Sequence, residues 1–202
     1  MRRTLVAHGA VACVLSGTVT VSLAVVVGPT SALTGYVSEA GVGAGAYATA
    51  YRLGVFGVAL GLLLLAAALP RTVWPAAALL AAGAAGTGLS ASVTCSAGCP
   101  LPPFEQTTAA DLVHGGASIA AVACVVFAML AVAWSTGAAP LLRRLGLVGA
   151  VVAFPLSATI GLAMLFVGRS TLVGIVERAL LGVIALWLVA STLAAAFAPA
   201  KE

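Results

Sequence analysis

The sequence predicts an all-α membrane protein: one polytopic bundle of six transmembrane helices with both termini in the cytoplasm. Three observations carry this. Of 202 residues, 62% are hydrophobic and 7% charged, and the mean hydropathy is +1.20. Six apolar runs are each long enough to cross a hydrocarbon core of roughly 30 Å, which takes about 20 helical residues. The basic residues of the connections gather on one side of the six spans, the side that membrane insertion keeps cytoplasmic. A water-soluble domain carries about a quarter charged residues, so composition excludes a soluble enzyme, a nucleic-acid binder and a disordered chain. The net charge of +4 is spread along the chain, which makes it a topology signal and not a nucleic-acid footprint.

The spans cover about residues 5–27, 47–69, 73–93, 108–134, 145–167 and 171–197, so that residues 1–202 make one transmembrane domain. The first resembles a secretory signal, with Arg2 and Arg3 before it and Ser31 and Ala32 after it. Its apolar run is about twice a signal's length, so an uncleaved helix is expected. Arg2, Arg3, Arg71, Arg143, Arg144 and Lys201 fall on one side, and Arg169 alone among the short loops of the other. Three loops then face outward, over residues 28–46, 94–107 and 168–170. Arginine outnumbers lysine eight to one, which with the Ala and Gly richness points to a bacterial cytoplasmic membrane.

Most of the 23 glycines lie inside spans, among them Gly57, Gly61, Gly83, Gly86 and Gly88. In lipid, small residues let helix backbones approach, so packing within the bundle is their expected role. Pro155 interrupts the fifth span, where it should kink the helix, with Ser157 and Thr159 near enough to bond the freed carbonyls.

Cys95 and Cys99, in the second outer loop (TCSAGCP), are expected to form a disulfide outside the cytoplasm. Metal binding by the pair needs further ligands, and the loop adds only Glu105. Cys13 and Cys124 lie within spans and read as small apolar side chains. His8 and His114 belong near opposite membrane faces, which does not make a bis-histidine haem site. Two histidines also fall short of a catalytic zinc site. No metal or other cofactor is expected.

Ionisable residues inside a membrane are functional candidates. Arg52, His114, Glu177 and Arg178 each lie five to seven residues inside the outer end of a span, a shared depth of roughly 8–10 Å at 1.5 Å per residue. Asp111 is one turn from His114 on the same helix face, and Ser38 and Glu39 lie above this layer in the first outer loop. The layer reads as an outward-opening polar pocket that binds a lipid or small anionic ligand, with Arg52 and Arg178 suited to phosphate or carboxylate. Membrane lipids are the expected partners, with another membrane subunit or a second copy also open, and nucleic acid excluded. A membrane hydrolase is the alternative, with His114 as general base oriented by Asp111 and an acid from Glu177. A structural or accessory subunit, whose layer only fixes packing, is the third reading. The balance falls on binding over catalysis.

The pair Ser38-Glu39 before the second span, Asp111 with His114-Gly115 opening the fourth, and Gly174 through Glu177-Arg178 opening the sixth resemble an uncharacterised bacterial family, domain of unknown function 998. The resemblance implies a six-helix integral membrane protein with this polar layer, and implies no activity. The family commonly has an Asp soon after a Phe-Pro step in the second outer loop, where this chain carries Cys95 and Cys99. Ser38, Asp111 and His114 also resemble part of the zinc site of alkaline-ceramidase-type membrane hydrolases, without that site's further histidines.

Overall fold

Apolar runs of span length fold as helices because each helix satisfies its own backbone hydrogen bonds, which lipid cannot do for it. The computed structural model describes residues 2–29 and 35–197. Ser31, Ala32 and Lys201 lie outside the described residues. Among the described residues, six long helices form: α1 Arg2–Val27, α2 Ala46–Ala68, α3 Trp74–Ser92, α4 Ala109–Trp134, α5 Pro140–Phe166 and α6 Thr171–Ala196. All six are long and apolar enough to cross a membrane.

Their starts follow local chemistry. Thr108 caps α4, and Ser170 caps α6 by accepting the Val173 N–H at 3.3 Å. α5 begins at Pro140 and not near residue 145, because proline suits a first helical turn whose N–H groups have no partner anyway. Arg143 and Arg144 therefore sit on the helix instead of in the loop. Arg143 Nε donates to the Ala133 carbonyl at 3.3 Å, a cation over the last turn of α4. α5 runs on through Pro155. Ser157 and Thr159 each donate at 2.8 Å to the carbonyl four residues back, Ala153 and Pro155 respectively.

Each helix packs on its sequence neighbours, and α6 returns to α1, closing a ring. Leu65, Leu80, Met129 and Leu188 fill the interior, while Leu53, Phe127, Phe166 and Leu186 point outward as a lipid-facing surface. α1 packs closely on α2. A Cβ on Gly17 would stand 2.7 Å from the Gly54 carbonyl oxygen, and one on Gly61 would stand 3.1 Å from the Val14 nitrogen. Gly86 similarly admits α4, its Cβ position lying 3.0 Å from the Ala117 oxygen. Gly88 faces open space and has no such role.

The up-and-down order puts the α1–α2, α3–α4 and α5–α6 connections at one end, called here the head. The first of these, expected as loop throughout, contains a 3₁₀ turn, Val37–Gly41. The other end, the tail, holds His8, whose ring lies edge-on to Phe197 with centroids 5.8 Å apart.

Candidate functional site

Asp111 sits in the first turn of α4, almost fully buried at 1% exposure. Its carboxylate accepts from four donors: the Ser96 N–H at 2.7 Å and hydroxyl at 2.8 Å, and the Thr108 N–H at 2.8 Å and hydroxyl at 2.7 Å. Thr108 Oγ1 in turn accepts the Asp111 N–H at 3.2 Å, completing a capping box. Asp111 thus fastens the α3–α4 loop to the start of α4. Its hydrogen bonds go to Ser96 and Thr108 and not to His114.

His114, one turn further on, is held by backbone. Its Nδ1 lies 2.7 Å from the Val93 oxygen and 2.9 Å from the Ser90 oxygen, with Ser90 Oγ farther off at 3.4 Å. Both carbonyls only accept, so Nδ1 carries the proton and Nε2 presents a lone pair. That Nε2 is buried and, among the described residues, has no hydrogen-bond partner. A ring nitrogen of His114 lies within 4.8 Å of the sulfurs of Cys95 and Cys99, which are joined in a disulfide with Cα atoms 5.0 Å apart. The turn between them places Gly98 and Cys99 at φ +85° and +46°, the left-handed region that glycine enters freely. Ser38 donates to Cys99 Sγ at 3.4 Å, linking the first head connection to the second. Cys13 and Cys124 are free and half-buried.

A second cluster joins α6 to the first connection. Glu39 Oε1 accepts the Tyr36 N–H at 2.9 Å and pairs with Arg169, at 2.6 Å from Nη2 and 3.0 Å from Nε. The hydrogen bonds that it donates to the Glu39 carboxylate raise the Arg169 guanidinium above its ordinary range. Tyr36 is held as a neutral phenol, pushed up first by burial and then by the charges of Glu105 and Glu177. Glu177 accepts the Val37 N–H at 3.0 Å. Arg178 Nη1 donates to the Gly35 and Gly174 carbonyls at 2.9 and 2.8 Å.

The polar residues of the head therefore form two groups. Asp111 and His114 belong with the α3–α4 loop, Glu39, Glu177 and Arg178 with the α1–α2 connection, and Ser38 touches both. Arg52 belongs to neither. It is partly buried in the second turn of α2, and among the described residues it makes no hydrogen bond or ion pair. It lines a narrow cleft with Ser38, Tyr51, Ser90, Thr94 and His114, whose enclosed space of about 10 Å³ suits one water molecule.

Sequence reasoning missed three participants. Ser96 and Thr108 were overlooked as partners of Asp111, although Thr108-Ala-Ala-Asp111 carries the capping-box spacing. Arg169 counted only toward topology, and nothing in its local sequence names Glu39, 130 residues away, as its partner.

A family model whose description is a protein of unknown function matches residues 9–194. No curated protein matches the chain, and no solved structure does.

Proposed function

Because the chain belongs to the DUF998 family and is a multi-pass membrane protein of unknown function, we propose its role from the geometry of the head: it binds an anionic group, a lipid phosphate or a small free anion, with Arg52 as the anchor. One observation carries the reading. Arg169 is neutralised by Glu39 and Arg178 is engaged with carbonyls, whereas Arg52 is partly buried within a span and unpaired among the described residues. A cation so placed is costly unless an anion joins it, and guanidinium matches phosphate or carboxylate in a two-pronged geometry. Ser38, Tyr51 and Thr94, each with a hydroxyl able to donate, line the same cleft. The cleft encloses about one water, so the anion sits at its mouth, where a headgroup in the interfacial layer arrives without leaving the membrane.

We place the head outside a bacterial cytoplasmic membrane, with both termini inside. Arg71, Arg143 and Arg144 lie at the tail, as the positive-inside preference asks of the cytoplasmic end. Hydrolysis by His114 and Asp111 has less support, since the Asp111 carboxylate is fully engaged by Ser96 and Thr108. Native mass spectrometry of the protein released from membranes tests the reading. An anionic lipid should stay bound to the wild type and be depleted in Arg52→Ala. Equal retention by both would remove it.

A further inference from the structure

We propose that Cys95, Cys99 and His114 form a binding site for a thiophilic d¹⁰ cation, Zn²⁺ or Cu⁺, that opens when the disulfide is reduced. The two sulfurs and a ring nitrogen of His114 lie within 4.8 Å of one another, all three residues buried. In a tetrahedral zinc site the metal–sulfur and metal–nitrogen bonds are about 2.3 and 2.0–2.1 Å, which sets ligand atoms roughly 3.5–3.8 Å apart. On reduction the two sulfurs part from bonding distance to that separation, and the ring nitrogen stands within 4.8 Å of them.

The independent observation is the histidine. A buried polar nitrogen without a partner costs free energy and asks for a reason. His114 is 7% exposed and its Nε2 is unpartnered among the described residues. With Nδ1–H fixed on the Ser90 and Val93 carbonyls, the ring is locked in the tautomer and orientation that a metal-binding imidazole uses. The spacing Cys-x₃-Cys falls within the range of zinc ligand pairs. The α3–α4 loop itself supplies only Glu105 besides the cysteines. The third ligand comes from α4.

The loop does not rely on the disulfide for its position. Asp111 holds Ser96, which lies between the two cysteines, through both its N–H and its hydroxyl. Ser38 Oγ, now on Cys99 Sγ at 3.4 Å, is placed to donate to a thiolate. Three protein ligands leave a fourth position, and the adjoining cleft, lined by Cys95 and His114, has about 10 Å³ of space, enough for one water.

The chemistry is a two-electron exchange followed by metal binding. An external dithiol passes two electrons and two protons to the disulfide, becoming a disulfide itself and leaving Cys95 and Cys99 as thiols. Zn²⁺ or Cu⁺ then displaces both thiol protons, and neutral His114 gives Nε2 without releasing one. The reverse exchange, in which an external disulfide takes the two electrons and two protons and becomes a dithiol, expels the ion and restores the Cys95–Cys99 bond.

The test uses full-length protein in detergent, either oxidised or reduced with a water-soluble phosphine that is then removed, and titrated with Co²⁺. The reduced wild type should take up one Co²⁺ per chain with thiolate-to-metal charge-transfer absorption, and Zn²⁺ should displace it. The oxidised wild type, the same folded chain, should show no such band. Cys124→Ser should behave as wild type, Cys95→Ser should lose the band, and His114→Ala should bind about tenfold more weakly or worse. Absence of the band in reduced protein, its presence in oxidised protein, or its persistence at full strength in Cys95→Ser or His114→Ala would overturn the site.

Discussion

Ser96 donates both its amide, at 2.7 Å, and its hydroxyl, at 2.8 Å, to the Asp111 carboxylate, so that one buried side chain holds the α3–α4 loop against the N-terminus of α4. The same carboxylate closes the Thr108 cap. The position of the disulfide and the approach to His114 both depend on this joint.

Asp111→Asn should lower stability by about 1–3 kcal/mol, because an amide turns donors toward donors and strands buried N–H groups. Ser96→Ala should cost less, and the double variant less than the sum of the two, since both break one network. Thermal unfolding of the purified proteins in one detergent measures all three. Additive losses would show that the joint is not a unit.

The Glu39–Arg169 pair is a weaker tie. Arg169 is 39% exposed at its side chain and Glu39 16%, and exposed pairs contribute about 0–1 kcal/mol. Arg169→Ala should therefore shift the melting temperature little. Glu39→Ala should shift it more, since it also leaves the Tyr36 N–H without an acceptor. A reversed order in the same melting experiment would contradict this account of the first head connection.

Gly17→Ala should destabilise the bundle by about 1–3 kcal/mol, the usual cost of overpacking, because the new methyl meets the α2 backbone at Gly54 and Val58. Gly88→Ala, with nothing within 4 Å, should be neutral or slightly stabilising, as alanine favours helix over glycine by about 1 kcal/mol. Melting curves of the two variants compare them directly.

For orientation, single cysteines are introduced at the exposed positions Gln106 and Thr136 in a chain whose native cysteines are replaced. A membrane-impermeant maleimide should label Gln106→Cys on intact cells and Thr136→Cys only after permeabilisation. The opposite pattern would invert the topology.

The six spans could be read from the sequence because a run of about 20 apolar residues has few folds open to it in lipid. Counting residues from the helix ends gives Arg52, His114, Glu177 and Arg178 a similar expected depth. Which of them meet depends on helix rotation and ring order, and residue counting carries neither. Hence one polar layer on paper became two groups in space: Asp111 turned to Ser96, and Glu177 to the Val37 amide. The orphan nitrogen of His114 was equally hidden, since it results from carbonyls on α3 and the loop after it claiming the other ring nitrogen.

The central claim is that Arg52 anchors an anionic group at the head. It is tested most directly by equilibrium binding of fluorescent phosphatidylglycerol to the protein in phosphatidylcholine nanodiscs, with unlabelled phosphatidylglycerol, glycerol phosphate and inorganic phosphate as competitors. Wild type and Arg169→Ala should bind alike, and Arg52→Ala should bind about tenfold or more weakly, matching a lost charge-assisted contact of about 1.5–3 kcal/mol. Competition by the lipid alone would identify a headgroup held in the membrane, and competition by the free phosphates would identify a soluble anion. Unchanged affinity in Arg52→Ala would contradict the claim.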